Sequence, residues 1–387
     1  MDPLLQIIHY TDMHLVTDGY ARSRWMLRRA LPFLPADHKQ GWAGPRRAVL
    51  KDFENLVASL ASEWREQQTW LVDTGDGTTF GDAASLDEWK EWSDKFLAAA
   101  GPKGSLVRVY GNHDGWPATF PGFAAGQVLM DKQRDLLRRD HFPAVWPEKP
   151  LTVQVPATMQ NRHPSQIELY VVNTVDHERM RNSAALGLAA RDWHWTRPPP
   201  IDTPACDLLD HARTQPGGAN GKHLRVVAMH YPIADAATPG NPTWSKSLAN
   251  RRRFARDLHA EVAPPVAHLV LAGHTHLAFP ALGQLPDTAL NAQHSPLGAG
   301  KCQIVSGSLS QELLSSTKPK AGISWADQQA FDFPQQCTVL RFYSQPNDPD
   351  EIVMDRVILG ADDSGMFDYL PIAQGSQQTV ETMTFRL

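Results

Sequence analysis

Short clusters of carboxylate, imidazole and amide side chains recur along the chain at spacings a metal ion can use. They are Asp12 and His14 in TDMH, Asp76 in DTGD, and Asn112, His113 and Asp114 in GNHD. Further on come His230 and then His274 and His276 in GHTH. Imidazole mixed with carboxylate suits first-row divalent metals such as Mn, Fe or Zn, whereas an all-oxygen set would suit Mg or Ca. In an extended segment, residues two apart point the same way, so the D-x-H and H-x-H pairs can each turn both side chains toward one site. Gly75, Gly111 and Gly273 each stand directly before a candidate ligand. Glycine there permits a sharp turn out of a strand or a close backbone approach.

These clusters need elements that bring them together, and each follows a short apolar run. The runs are Leu4–His9, Thr69–Val72, Ser105–Tyr110, Leu224–Met229 and His268–Leu271. Ile167–Val172 and Cys302–Val305 are similar runs without a cluster behind them. Each has strand length, and continuous apolar character means burial on both faces. Helical periodicity lies between some of them: Val49, Leu50, Phe53, Leu56, Val57, Leu60 and Trp64 over Arg46 to Arg65, and Leu86, Trp89, Trp92, Phe96 and Leu97 over Ser85 to Ala99. A third pattern covers Ser245 to Val262, where the Arg251 to Arg253 run reads as a solvated face. Alternation of strand and helix argues for a layered α/β fold, and open α/β sheets build their sites at the carboxyl ends of the strands. Cys337–Tyr343 and Ile352–Leu359 read as late strands without a helix between them, added antiparallel to a sheet. The expected architecture is two sheets packed face to face with helices outside.

The expected catalytic domain runs over 1–360, with irregular insertions near 18–45, 197–221 and 281–300, and a C-terminal extension over 361–387. Composition is that of an ordinary globular chain: 387 residues, 42% hydrophobic and 20% charged. A net charge of −5 gives no global attraction to nucleic acid or an anionic membrane, so any phosphate must be held locally. Three widely spaced cysteines without a CxxC fit a reducing compartment better than a disulfide framework. With no signal-like N-terminus and no long apolar run, the expected setting is cytoplasmic, without a membrane partner. The sequence leaves the oligomeric state open.

The ordered set DxH, GD, GNH[DE], a lone His and GHxH resembles the calcineurin-like metallophosphoesterases. The resemblance spans Asp12 to His276, most of the chain. It implies a four-layer α/β-β/α sandwich holding two divalent metal ions. One metal would be held by Asp12, His14 and His276, the other by Asn112, His230 and His274, with Asp76 bridging. His113 would face the leaving-group oxygen, oriented by Asp114. A hydroxide held between cations about 3.5–4 Å apart would attack phosphorus.

Branches of that superfamily differ in their motifs. The protein-phosphatase GDxxDRG motif is absent, because Thr79 stands in the second Asp slot. The purple acid phosphatases have DxG in the first block. Asp76, Thr78, Gly81 and Trp89 are similar to the block of cyclic-nucleotide and glycerophosphodiester phosphodiesterases, which implies a small-molecule phosphodiester substrate. The alternatives are a phosphomonoesterase or a single-strand nuclease on the same metals, with nucleic acid entering only as substrate. A non-catalytic scaffold would be expected to lack a ligand or His113, and all are present. Arg22 and Arg24, with Trp25, lie shortly after the first block and are candidate substrate contacts. Asp73 is expected to point away from the site or to cap a turn. His9, His223 and His268 have no motif slot and are expected to be structural.

Overall fold

A computed structural model describes residues 1–15, 47–79, 81–109, 111–115, 151–155, 165–171, 223–232, 268–274, 302–309, 333, 335–345, 348–361, 365–372 and 376–386. The three insertions, the helical pattern over Ser245 to Val262, and Arg22, Arg24 and His276 lie outside these residues.

The first sheet is built around β1 (Asp2–Tyr10), whose side chains alternate between two apolar environments. Ile8 and Tyr10 face the helices α1 (Arg47–Glu63) and α2 (Ala83–Ala99); Leu5 and Ile7 join the core on the opposite face. β1 lies parallel to β2 (Gln68–Asp73), and β2 lies parallel to β3 (Gly104–Arg108). On its other side β1 meets β9 (Gln335–Gln345) antiparallel, and β9 meets β10 (Asp348–Ala361). The expectation of antiparallel additions late in the chain is met by this pair. Two short strands, β11 (Phe367–Leu370) and β12 (Val380–Arg386), then share the far edge of β10 end to end.

Both helices follow from their apolar spacing. α1 buries Val49, Leu50, Phe53, Val57 and Leu60, a single stripe. α2 starts at Asp82, whose carboxylate accepts the Ser85 amide at 3.0 Å, and buries Leu86, Trp89, Trp92 and Phe96. Tyr10, Phe53 and Phe96 meet edge to face at centroid distances of 4.9–5.7 Å, locking both helices to β1.

The second sheet has the order β4 (Leu151–Val155), β5 (Ser165–Val171), β6 (His223–Ala228), β7 (Leu269–Ala272) and β8 (Cys302–Val305). Only β4 runs antiparallel. Ile167, Leu169, Val226, Leu269, Leu271 and Ile304 from this sheet share one core with Ile7, Trp70, Val72, Leu340 and Phe342 from the first. The two sheets therefore pack face to face, an α/β sandwich as expected.

At the carboxyl ends the sheets are also joined by backbone. Thr11 pairs in parallel with Ser308, and its carbonyl accepts the Leu309 amide at 3.0 Å. The Ser306 hydroxyl donates to the His9 carbonyl at 3.0 Å, and Ser308 to the Asp12 carbonyl at 2.7 Å. These bonds hold the segment after β1 against the segment after β8, at the end where the ligand clusters emerge.

Residues 365–372 and 376–386, within the expected C-terminal extension, are largely strand, and β12 carries a buried ion pair into the core. Arg356 on β10 is fully buried and meets Glu381 on β12 at 2.7 Å. Removing one member of such a pair leaves an uncompensated buried charge. Glu381→Ala is expected to lower stability by about 3–5 kcal/mol, read from urea denaturation; a loss under about 1 kcal/mol would show that β12 is not tied in by this pair.

Candidate metal centre

Asp76 is the residue around which the site is organised. Its Oδ1 accepts the His113 amide at 2.8 Å. Its Oδ2 lies 3.4 Å from His230 Nε2. The side chain is almost wholly buried. Two groups of ligand-type atoms share this one carboxylate: His14, Asp76 and His113 in one, and Asp76, His230 and His274 in the other. Within each group the atoms lie within 4.8 Å of one another.

The backbone that delivers these groups adopts a demanding conformation. Asp12, His14, Asp76 and His274 have φ of 54°, 48°, 52° and 68°. For residues other than glycine this region costs on the order of 1–3 kcal/mol each and persists only when surrounding bonds enforce it. Those bonds are present. Beyond the ends of β1 and β2 the two chains stay paired: Asp12 N to Gly75 O, His14 N to Asp76 O, Leu15 N to Gly77 O, and Thr79 N to Leu15 O, all at 2.8–3.1 Å. The His274 amide donates to Asp12 Oδ2 at 3.0 Å. Asp12 Oδ1 in turn lies 3.8 Å from His14 Nε2.

The glycines before the ligands have distinct jobs. Gly75 takes a positive φ of 102°. A Cβ on Gly111 would collide with Asp76 Oδ1, and one on Gly273 with the Thr11 hydroxyl. A Cβ on Gly77 would enter the Trp89 ring. Trp89 therefore packs on the loop just past Asp76, and its indole N–H donates to Asp73 Oδ2 at 2.7 Å. Asp73 Oδ1 accepts the Gly75 amide at 3.0 Å, so it caps the turn, one of the two expected placements.

Charge explains the rest of the arrangement. Burial pushes Asp12 up to about 7, with the neighbouring Asp76 adding to the effect. Burial would raise Asp76 too, but His230, His113 and His14 around it hold it well below the usual carboxylate range. His14 is driven down to about 3 by burial and by His113 beside it, and His113 is lowered mainly by burial. His230 goes the other way, to about 9: burial lowers it, and Asp76 more than reverses this. Its Nδ1 faces the Thr74 carbonyl at 2.8 Å, which can only accept, so Nδ1 carries a proton. Its Nε2 faces Asn112 Oδ1 at 2.9 Å and Asp76 Oδ2. Asn112 Oδ1 and Asp76 Oδ2 thus converge on one imidazole nitrogen, an arrangement that favours a positive charge there. A divalent cation satisfies that preference as well as a proton does, so the donor set fits metal. A ligating imidazole typically gives its other N–H to a backbone carbonyl, as His230 does.

The structure brings Asp12, His14, Asp76, Asn112, His113, His230 and His274 to one end of the sandwich. His276, Arg22 and Arg24 lie outside the described residues. Two details differ from expectation. His113, expected to stand off the metals, belongs to one ligand-type group. Asp114, expected to orient His113, instead accepts from Thr78 N and Oγ1 at 2.8 and 2.9 Å and from Gly111 N at 2.8 Å. The group on the His113 ring is the Thr79 carbonyl, 3.0 Å from Nδ1. Burial and the nearby Asp76 push Asp114 up to about 8, consistent with a carboxyl whose work is holding two loops. His9, His223 and His268 serve the scaffold: His9 meets the Thr74 hydroxyl, His223 pairs with Glu168, and His268 accepts the Arg225 amide.

No family model and no curated protein sequence matches the chain. Among solved structures it is similar to a dimetal phosphatase from Danio rerio, at 13% identity over 91% of this chain and 96% of that one, with a TM-score of 0.43. It is also similar to a purple acid phosphatase from yellow lupin, at 8% identity over 100% and 54%, TM-score 0.45. A 5'-nucleotidase from Candida albicans gives 10% identity over 88% and 47%, TM-score 0.34. At these identities and scores the likeness transfers no residue role or activity to this chain.

The His230 proton gives the site a pH signature. Its pKa is raised from 6.5 to about 9 in the fold, so the stability it contributes to metal-free protein is complete below about 6.5 and lost as pH rises through about 9. A cation bound at Nε2 must displace that proton. Mn(II) affinity is therefore expected to rise between about pH 7 and pH 9, with net proton release seen by titration calorimetry in buffers of different ionisation enthalpy. Affinity flat with pH and no proton release would contradict this account.

Proposed function

We propose that this chain is a two-metal phosphoesterase with a preference for small phosphodiesters. The observation that carries the reading is the sharing of Asp76, a single buried carboxylate that serves two clusters of ligand-type atoms. Asp12 and His14, with His276, would hold one divalent cation; Asn112, His230 and His274 would hold the other; Asp76 would face both. Mn, Fe and Zn all suit these donors. Bound there, such ions supply Lewis-acid activation of water and neutralise charge developing on the phosphoryl oxygens.

The protein's own share of the chemistry is orientation and proton control. Asp76 Oδ1 is fixed by the His113 amide, which leaves Oδ2 directed at the centre. His113 offers Nε2 to the site, because its Nδ1 is turned to the Thr79 carbonyl. To assist a departing alkoxide it must carry a proton on Nε2 as well. Burial opposes that charge, and an incoming phosphate anion favours it, so protonation is coupled to substrate arrival. The diester preference rests on the resemblance of the block containing Asp76, Thr78, Gly81 and Trp89 to phosphodiesterases. Arg22 and Arg24 are proposed phosphate contacts, and a cytoplasmic setting is proposed from the cysteine pattern.

Chelation followed by Mn(II) replacement is expected to switch hydrolysis of an aryl phosphodiester off and on, with the corresponding monoester turned over more slowly. Hydrolysis that survives chelation would sink the two-metal reading, while faster monoester turnover would sink only the diester preference. His113→Gln is expected to reduce kcat by roughly 10²–10⁴-fold with metal content unchanged.

A further inference from the structure

Thr79 belongs to no ligand set, yet it touches both histidines of the first ligand group. Its side chain is almost wholly buried. Its hydroxyl donates to the His14 carbonyl at 2.8 Å, its amide donates to the Leu15 carbonyl at 3.1 Å, and its carbonyl lies 3.0 Å from His113 Nδ1. Between those contacts the His14 and His113 rings meet edge to face, with centroids 4.6 Å apart. The neighbouring Thr78 is pinned separately: its amide and hydroxyl both donate to Asp114, and its hydroxyl accepts the Gly81 amide at 2.9 Å.

We propose that Thr79 is a positioning residue that orients both His14, and through it the first metal position, and His113, the proposed proton donor beside it. This rests on the two-metal reading above. The physical case has two parts. The hydroxyl bond holds the His14 peptide, and His14 is one of the residues at positive φ, so a bond to its carbonyl helps to hold a conformation the residue would otherwise leave. The carbonyl bond fixes which His113 nitrogen bears a proton and points Nε2 inward, with a neutral acceptor in a place where a carboxylate would attract charge onto the ring. One residue thereby helps to determine how two imidazoles are turned toward the space beside the same carboxylate, Asp76.

The experiment compares wild type, Thr79→Ser, which keeps the hydroxyl, with Thr79→Val and Thr79→Ala, which remove it. Mn(II) stoichiometry and affinity are measured by equilibrium dialysis, alongside thermal melting of metal-free protein. The expected result is about 10–100-fold weaker binding of one Mn(II) in the Val and Ala variants, with the second Mn(II) retained and Ser restoring both. Val and Ala variants that melt lower but bind both ions as wild type does would reduce Thr79 to a structural residue and overturn the proposal. So would a Ser variant that loses the ion, a result that stands even where Val fails to fold. Wild type that binds no Mn(II) would overturn the two-metal reading itself.

Discussion

The arrangement of this molecule turns on the ionised carboxylate of Asp76 in a dry interior. A charge in that position is tolerated only where opposite charge or hydrogen-bond donors surround it. Here His230, raised to about 9 by Asp76 itself, supplies the opposite charge, the rings of His14 and His113 stand beside the carboxylate, and the backbone amide of His113 donates to one of its oxygens. Three of these groups come from different parts of the chain, and all must converge for the charge to be stable. The two sheets supply that convergence. β1, β2 and β3 deliver Asp12, His14, Asp76, Asn112 and His113, and β6 and β7 deliver His230 and His274. Face-to-face packing of the sheets places the second set opposite the first.

Convergence of this kind carries a conformational cost that the surrounding bonds have to offset. Four ligand-type residues adopt left-handed backbone angles outside any glycine. Relaxing Asp12, His14 or Asp76 would break the backbone ladder that continues past β1 and β2, and relaxing His274 would release its amide from Asp12 Oδ2, so the strain and the bonds maintain each other. The hydroxyls of Ser306 and Ser308 extend the restraint to the second sheet. A site so restrained presents its donors in one geometry before any ligand arrives, which is the condition under which electrostatic stabilisation is effective.

Much of this was legible in the sequence because the ligand blocks stand directly after apolar strands, and strand ends in parallel sheets share a direction. The buried stripes of α1 and α2 were equally plain from their spacing. What escaped has physical reasons. β12 alternates, but its buried face begins with Glu381, a charge that reads as solvent-facing until Arg356 is found opposite it. β4 is a short strand at the edge of its sheet, and β11 pairs over only four residues, so neither has the apolar weight of a central strand. The Asp114 assignment placed a carboxylate beside an imidazole because the two are adjacent in sequence. In the fold, three donors from Thr78 and Gly111 claim that carboxylate instead.

Thr79 shows a deeper limit on reading function from residue types. Its contact with His113 is made by a main-chain carbonyl, and so is the contact of Thr74 with His230. No side-chain pattern announces a carbonyl. These two carbonyls nonetheless decide which nitrogen of each imidazole carries a proton and which faces the centre, a decision as consequential as the choice of histidine itself. Their positions depend on the course of the loop after β2, which Trp89 packs against at Gly77 and Asp73 caps at Gly75. The chemistry of the imidazoles is therefore set by the shape of the loop that also carries Asp76. It follows that glycine and tryptophan, which take no part in binding or proton transfer, constrain the site as tightly as the ligands do.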